Sequence, residues 1–361
     1  MPTWVRLAEL VAAVLFILAL KGLSSPKTAR RGNLLGALGA AVATAAAFFY
    51  GADFFGGPIQ HLPLIIGAMM IGSVIGWIAA KRVQMTQMPQ MVALFNGVGG
   101  GAAAVVSVIE FLTAGEESVA ALAATVFTVV VGSVSFSGSI LTFMKLQELM
   151  TSRPVVIPAG RYITSLMAVA TIGSAVALVM SPSNTLLFAL LGLSLLMGVL
   201  LVLPVGGADV PIVISLLNAF TGLSVAASGY VLGNVLLIVA GTLVGASGTL
   251  LTRLMAQAMG RPLTNTLFGA FTAKATKTTG TTEDRPVKSA SPDDVAIMLG
   301  YARKVIIVPG YGLAVAQAQN TIRELVELLG AKGIAVDYAI HPVAGRMPGH
   351  MNVLLAEANV P

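Results

Sequence analysis

The chain has 361 residues, no cysteine and few charged side chains. Without cysteine, a protein has no disulfides, no cysteine-ligated zinc, no iron–sulfur cluster and no thiol catalysis. Only 10% of the residues are charged, whereas a soluble globular domain has about 25%. This difference excludes an ordinary soluble enzyme over most of the length. Because 56% of the residues are hydrophobic, disorder is also excluded, and the composition indicates an integral membrane protein.

The sparse charges divide the chain into a membrane part and an aqueous part. Up to about residue 255 they lie almost only in short gaps between apolar runs, and from Arg261 onward they recur every few residues. Residues 272–284 are rich in Thr, Lys and Gly and have no apolar period, which is typical of a linker. We predict a transmembrane helical domain over 1–256, a cytoplasmic linker over 257–300 and an incomplete Rossmann-like α/β domain over 301–361.

The membrane part reads as an all-α polytopic bundle of about nine transmembrane helices. A span needs about 17–25 mostly apolar residues to cross a hydrocarbon core of ~30 Å. The stretches that we interpret as spans are 5–20, 34–50, 62–80, 88–112, 120–144, 162–180, 185–203, 210–232 and 234–255. Pairs of glycines four residues apart predict close helix packing within these spans: Gly72/Gly76, Gly97/Gly101 and Gly241/Gly245.

Lysine and arginine in the gaps predict the orientation, because cytoplasmic loops retain positive charge. The second, fourth, sixth and eighth gaps have neither residue, whereas the first, third and fifth have several. The alternation therefore places the N-terminus outside and everything after the ninth span in the cytoplasm. The residues that set it are Lys21, Lys27, Arg30, Arg31, Lys81, Arg82, Lys145, Arg153 and Arg161.

Polar side chains inside the spans are candidates for a functional path, because an unpaired polar group in hydrocarbon is costly. Asn96 and Asn218 lie in the middle of spans, and four serines alternate from Ser133 to Ser139. For the asparagines, structural hydrogen bonding and a polar path are equally good interpretations. For the serines the main alternative is a bond to a carbonyl of their own helix. No span contains a histidine.

A strand, a glycine turn and a helix follow one another in the aqueous part. Residues 304–308 read as a buried strand, the turn contains Gly310 and Gly312, and the helix is predicted to run to about Leu329. This order is the context of a dinucleotide fingerprint, in which glycines let a pyrophosphate approach a helix N-terminus. The third glycine position holds Val315, so a bare glycine turn remains the alternative.

A second strand over 334–340 completes a βαβ unit, and a glycine loop follows it. The acid that usually ends this strand is absent, since Asp337 lies within it and His341 follows it. Its absence favours a 2′-phosphorylated cofactor. Arg346 in the following loop is placed either to neutralise a phosphate or to remain a solvated charge.

Two cytoplasmic segments, PGYGLAVAQAQ at 309–319 and HPVAGRMPGHMNVLLAEA at 341–358, resemble the β subunit of proton-translocating nicotinamide nucleotide transhydrogenase. Shorter stretches at 85–89, 135–139 and 206–218 are similar to the membrane half of that family. The resemblance covers the whole chain. It implies hydride transfer from NADH to NADP⁺ that is driven by protons moving inward across a bacterial inner membrane.

The resemblance also implies partners and sites. This subunit would bind NADP(H), and a partner α subunit with further transmembrane helices would bind NAD(H), in a dimer of the hetero-oligomer. Neither a covalent catalytic residue nor a metal site is expected. The implied roles in the proton path or its coupling belong to Ser139, Asp209 and Asn218. The implied NADP(H) contacts are Gly310, Tyr311, Gly312, Leu313, Ala314, Val315, Ala316, Val343, Ala344, Gly345, Arg346, Met347, Pro348 and Gly349.

Two departures from the family pattern qualify these expectations. Asn96 stands where many relatives have a membrane histidine, and an amide does not titrate near neutral pH. Our hypothesis is that a helix of the partner subunit supplies the ionisable group, with Asn96 and Asn218 lining its water path. The sequence also stops at Pro361, before the strands that clamp the 2′-phosphate in the family, which predicts weak or absent NADP(H) binding. The alternative function is a transporter or channel regulated by a cytoplasmic nucleotide-binding domain.

Overall fold

The computed structural model describes residues 2–54, 61–84, 87–113, 118–151, 154, 155, 157, 159–206, 209–258, 291–345 and 349–360. Within these residues, nine helices are long and apolar enough to cross a membrane, which confirms the predicted bundle. They are α1 Thr3–Leu23, α2 Pro26–Phe54, α3 Leu62–Arg82, α4 Met88–Thr113, α5 Val119–Leu146, α6 Gly160–Met180, α7 Asn184–Val202, α8 Val210–Val231 and α9 Val235–Ala258.

The second helix is longer than the span predicted for it. It begins at Pro26 rather than at residue 34, so it includes three cations that the sequence assigns to a gap. The hydroxyl of Thr28 donates to the carbonyl of Gly22 at 2.6 Å, which ties the start of α2 back to the end of α1. The length of an apolar run predicts only the part of a helix that lies in hydrocarbon. The helix itself can continue beyond that run, because long cationic side chains at its end reach water.

Helices α4, α5 and α8 form the centre of the bundle, and α7 and α9 pack on its flanks. Backbones approach closely between α8 and α9, where a Cβ atom added at Gly222 would meet Gly241 O at 2.9 Å. Glycine is required at such a crossing because the hydrophobic effect does not drive apolar helices together in lipid, so that their association depends on close packing. Gly97 and Gly245 also face neighbouring helices, with Cβ positions 3.1 Å from Ser139 Cβ and Leu223 Cδ2, respectively.

Helix α3 differs from the others because none of its residues is buried. Cβ atoms added at Gly72 and Gly76 would meet nothing within 4 Å in the described part of the chain. The close packing predicted for this pair is therefore not found among the described residues. Glycine spacing permits close approach, but it does not say whether a neighbour exists.

The aqueous part begins with α10, Pro292–Gly300, whose start is capped by Ser291 and Asp294. The backbone N–H of Ser291 donates to the Asp294 carboxylate at 3.0 Å, and the Asp294 N–H donates to the Ser291 hydroxyl at 3.2 Å. These hydrogen bonds with Ser291 lower the pKa of Asp294, because they stabilise its charged form.

Two short parallel strands follow, β1 Lys304–Ile307 and β2 Ala335–Tyr338, with Lys304 opposite Ala335. Lys304 forms an exposed ion pair with Asp337 at 2.6 Å. The helices of this part are α11 Tyr311–Val315, α12 Gln319–Ala331 and α13 His350–Glu357. Only these two strands occur in the described residues, so the Rossmann-like domain remains a prediction. Most of the predicted linker, residues 259–290, lies outside the described ranges.

The prediction of one continuous helix from the glycine turn to Leu329 is wrong, because the structure has α11 and α12 in its place. Gln317 between them has a φ of 49°, a left-handed conformation that ends a helix. The N–H of Ala318 reaches back to the carbonyl of Leu313 at 3.1 Å, which closes the first helix. This break could not be predicted, because no glycine lies at this position and the helical period of apolar residues continues across it.

Candidate functional site

Asn96 joins three central helices through one hydrogen-bonded network. Its side-chain Nδ2 on α4 donates to the hydroxyls of Ser139 at 2.9 Å and Ser135 at 3.3 Å, both on α5. Ser135 in turn bonds the carbonyl of Leu217 at 2.8 Å and lies 2.6 Å from the hydroxyl of Thr221, both on α8. Ser135 and Ser139 are almost completely buried. The network thus crosses the middle of the bundle from α4 to α8.

The proton count of this network fixes the direction of its bonds. Ser135 has one proton, which goes to the Leu217 carbonyl, so Thr221 donates to Ser135. Both hydrogens of the Asn96 amide are then used, and Ser135 accepts two bonds. The oxygen of the same amide, Asn96 Oδ1, is buried and has no hydrogen-bond partner among the described residues. Such an acceptor requires a donor from water or from another chain.

Ser137 behaves differently from Ser135 and Ser139. Ser137 donates to the carbonyl of Ser133 on its own helix at 3.1 Å, as the alternative interpretation expected. The sequence did not distinguish Ser135 from its neighbours, nor did it indicate Thr221. Their selection depends on the rotation of α5 against α8. The only local signal is that Thr221 lies three residues after Asn218 and so shares its helix face.

Asn218 and Asp209 both belong to α8 but lie outside the network. Asn218 is half-buried and makes no hydrogen bond to the network. It lies on the helix face that carries Pro211, Ile214 and Thr221, since these positions are three or four residues apart. Asp209 is the N-cap residue of α8, at the end of the bundle where the nucleotide segment lies. The structure therefore brings Asn96 and Ser139 together and places Asn218 one turn from Thr221.

Lys145 is a buried cation that the sequence assigned to a gap. It is 1% exposed and lies in the last turn of α5. Its Nζ donates to the carbonyls of Val202, Leu203 and Val205 at 2.5–3.1 Å, at the C-terminal end of α7. All three ammonium protons are used, and the negative end of the helix dipole stabilises the charge. Counting charges between spans could not reveal this burial.

The predicted nucleotide turn has the form that a pyrophosphate would need. Gly310 is the N-cap residue of α11, directly after β1. Among the residues that the structure describes, Cβ atoms added at Gly310 and Gly312 would meet nothing within 4 Å, so a ligand can approach this backbone closely. The next residues, Leu313, Ala314, Val315 and Ala316, form the short helix and its end.

The second predicted nucleotide segment folds back against the first. The N–H groups of Ala344 and Gly349 donate to the carbonyls of His341 and Pro342, and Gly345 and Gly349 have positive φ angles of 104° and 75°. Val343 is exposed in this loop. His350 at the start of α13 lies beside Tyr311, with ring centroids 6.5 Å apart. The remaining predicted contacts, Arg346, Met347 and Pro348, lie outside the described residues.

The nucleotide turn also touches the end of the membrane bundle. The hydroxyl of Tyr311 donates to the Glu148 carboxylate at 2.7 Å, and Glu148 lies directly after α5 with a φ of 61°. Burial raises the pKa of the Tyr311 hydroxyl, and the protonated hydroxyl is the donor in this bond. Beside this contact is a cavity of about 220 Å³, lined by residues of α4, α8, α11 and α13 that include Gln90, Ile214, Tyr311 and His350. No pattern in the sequence indicated that Glu148 or Gln90 belongs to this junction.

Comparison with known proteins identifies the family. The profile of the NAD(P) transhydrogenase beta subunit matches residues 5–361. Two Rhodospirillum rubrum proteins named NAD(P) transhydrogenase subunit beta are each 43% identical over 364 residues, which is 98% of this chain and 77% of theirs. A membrane bundle with a buried polar network, joined to a glycine turn at its end, agrees with this match. The chain belongs to the NAD(P) transhydrogenase beta subunit family.

Proposed function

We propose that the chain couples inward movement of protons across the membrane to hydride transfer from NADH to NADP⁺, in a complex with an α subunit. The observation that supports this most directly is the Asn96 network, which joins α4, α5 and α8. Just after the end of α5, Glu148 contacts Tyr311 of the nucleotide turn. The family match favours this function over a nucleotide-regulated transporter or channel.

NADP(H) is the nucleotide that we assign to this subunit, and NAD(H) is assigned to the partner. The open backbone at Gly310 and Gly312 fits a pyrophosphate, and the segments from Gly310 to Ala316 and from Val343 to Gly349 would hold it. When bound, NADP(H) supplies hydride chemistry at its nicotinamide ring. The chain's own residues contribute the pyrophosphate contacts of this site, within an incomplete Rossmann-like domain over 301–361 that follows a linker over 257–300.

The proton path in this proposal contains no titratable group from the middle of this chain's bundle. No histidine lies in α1–α9, and the polar centre consists of an amide and hydroxyls. We propose that Asn96, Ser139 and Asn218 line the path, with Asp209 at its cytoplasmic end. The ionisable group would come from a transmembrane helix of the α subunit. The buried Asn96 Oδ1 supports this, because it requires a donor that the described residues do not provide.

Coupling in this scheme is conformational, because hydride and proton follow separate routes. Protonation would change how the cytoplasmic end of the bundle holds the nucleotide domain, and thereby the relative affinity for NADP⁺ and NADPH. The loop charges support an N-terminus outside and a cytoplasmic nucleotide domain, in a bacterial inner membrane. We propose that two such complexes, each formed by this chain and its α subunit, associate as a dimer.

Replacement of Ser135 by alanine is expected to lower proton-coupled hydride transfer about fivefold or more, because the exchange leaves a buried amide hydrogen and the Leu217 carbonyl without their partner. Ser137→Ala is the matched control, since Ser137 bonds only a carbonyl of its own helix. Initial rates in sealed vesicles measure the effect. Equal rates for the two variants would show that the network has no part in coupling.

The experiment that tests the function uses the complete complex in sealed vesicles with the nucleotide domains facing outward. An imposed acidic lumen is expected to accelerate NADPH formation from NADH and NADP⁺, and an uncoupler is expected to remove the acceleration. A rate that is the same with and without the gradient would refute proton coupling. Absence of any hydride transfer in a complex of correct subunit composition would refute the enzymatic assignment.

A further inference from the structure

Lys145 connects three structural parts at the cytoplasmic end of the bundle. Its Nζ binds the last carbonyls of α7 and the loop that follows, and Val202 in that stretch belongs to a buried apolar cluster with Leu141 and Val210. The Leu203 carbonyl also accepts the N–H of Val155 at 3.2 Å, from the segment between α5 and α6. The ammonium group of Lys145 thus joins the end of α5 to the end of α7 and to the loop after it. Through the Leu203 carbonyl, the segment between α5 and α6 is attached at the same place.

This group stands between the nucleotide turn and the helix that contains Asn218. Glu148, three residues after Lys145, accepts the hydrogen bond of Tyr311. On the other side, α8 begins at Val210, five residues after the last carbonyl that Lys145 binds. Its face from Pro211 and Ile214 leads to Asn218 and Thr221. Tyr311 and the start of α8 therefore lie on opposite sides of the segment that contains Glu148 and Lys145.

A buried ammonium costs free energy that a methionine of similar length would not. The cost is offset here only because three carbonyls at a helix C-terminus accept its protons. Methionine would fill the same volume but could not hold the segment after α7. The residue type therefore indicates a function in fixing α7 and α8 against α5, rather than in packing alone.

We propose that Lys145 is a positioning residue for coupling, which makes the Tyr311–Glu148 contact and the polar face of α8 move together. This inference rests on the proposed proton-coupled function. Lys145 acts through α8 and Glu148, since its hydrogen bonds go to carbonyls at the end of α7 and not to the Asn96 network. The charged or titratable groups around this junction are Glu148 on its own loop, Tyr311 and His350 on the nucleotide segment and Asp209 at the start of α8.

The test compares the complete complex with Lys145→Met, Lys145→Arg and Lys81→Met. Lys81 is the matched control, because it also ends a span but lies exposed over the Trp77 ring at 5.0 Å. The readout is the acceleration factor, defined as the hydride-transfer rate with an imposed proton gradient divided by the rate without it. Since it is a ratio, a loss of folded complex does not change it.

Lys145→Met is expected to lower the acceleration factor about fivefold or more, while hydride transfer without a gradient persists. Lys145→Arg, which retains the charge and donors, should keep most of the factor, and Lys81→Met should keep all of it. Glu148→Ala, a surface change that does not threaten folding, should lower the factor in the same direction. Parental factors in both Lys145→Met and Glu148→Ala would overturn the inference. If the hydride-transfer rate of the parental complex were the same with and without the gradient, the proposed function would be refuted instead.

Discussion

Replacement of Asn96 by leucine is expected to reduce gradient-driven hydride transfer at least tenfold, that is by about 1.4 kcal/mol or more. Leucine removes both bonds from α4 to α5 and places apolar surface where the path requires a hydrogen-bonding group. It also removes the buried Oδ1 that we expect to face the donor of the partner subunit. Rates in sealed vesicles with and without a proton gradient measure the loss.

The control for this prediction is Thr113→Val on the same helix. Thr113 bonds only carbonyls of its own helix, those of Ile109 and Glu110, so its replacement should leave the rate within about twofold. If Asn96→Leu transferred hydride as fast as Thr113→Val under the same gradient, Asn96 would have a structural function only. The proposed path would then have to be placed elsewhere in the complex.

Replacement of Gly222 by alanine is expected to cause a large loss of stability. The added methyl group would meet Gly241 O at 2.9 Å and approach Gly245 N still more closely. Because these are backbone atoms, α8 and α9 must separate, which costs about 1–3 kcal/mol or more. Gly222 follows Thr221, so the displacement also disturbs the network. The yield of assembled complex and its Tm measure the effect.

Gly72→Ala is the matched control for this substitution. A Cβ atom at Gly72 has nothing within 4 Å in the described part of the chain. If the chain alone determined stability, this exchange would be neutral or slightly stabilising, since alanine favours a helix by about 1 kcal/mol over glycine. A Gly222→Ala complex with the Tm of Gly72→Ala would contradict the close packing of α8 on α9.

The sequence predicted the membrane fold well because hydrocarbon thickness sets the length of an apolar run. All nine spans occur as helices in the described residues, including the short first one. It could not predict which polar side chains meet, because that depends on how each helix is rotated against its neighbours. Asn96 was recognised as polar, but its partners Ser135 and Thr221 were not singled out. Lys145 was misplaced for a related reason, since burial at a helix end has no local sequence signal.

The nucleotide segment was predicted less completely. Both strands are confirmed, with shorter bounds than expected, and the glycine turn precedes a helix as its pattern indicates. The break at Gln317 was missed because a non-glycine residue adopts the left-handed conformation there. The junction of Tyr311 with Glu148 joins residues 163 positions apart. No pattern within either segment could reveal such a contact.

The central claim is that protons cross beside Asn96 with an ionisable group from the partner subunit, and drive hydride transfer. The most direct measurement records NADPH formation and internal pH together, in sealed vesicles with the nucleotide domains facing outward. The parental complex should alkalinise the lumen as NADPH forms. A complex whose partner helices have lost every ionisable side chain should transfer hydride without any pH change. Alkalinisation by that second complex, in step with NADPH, would contradict the account.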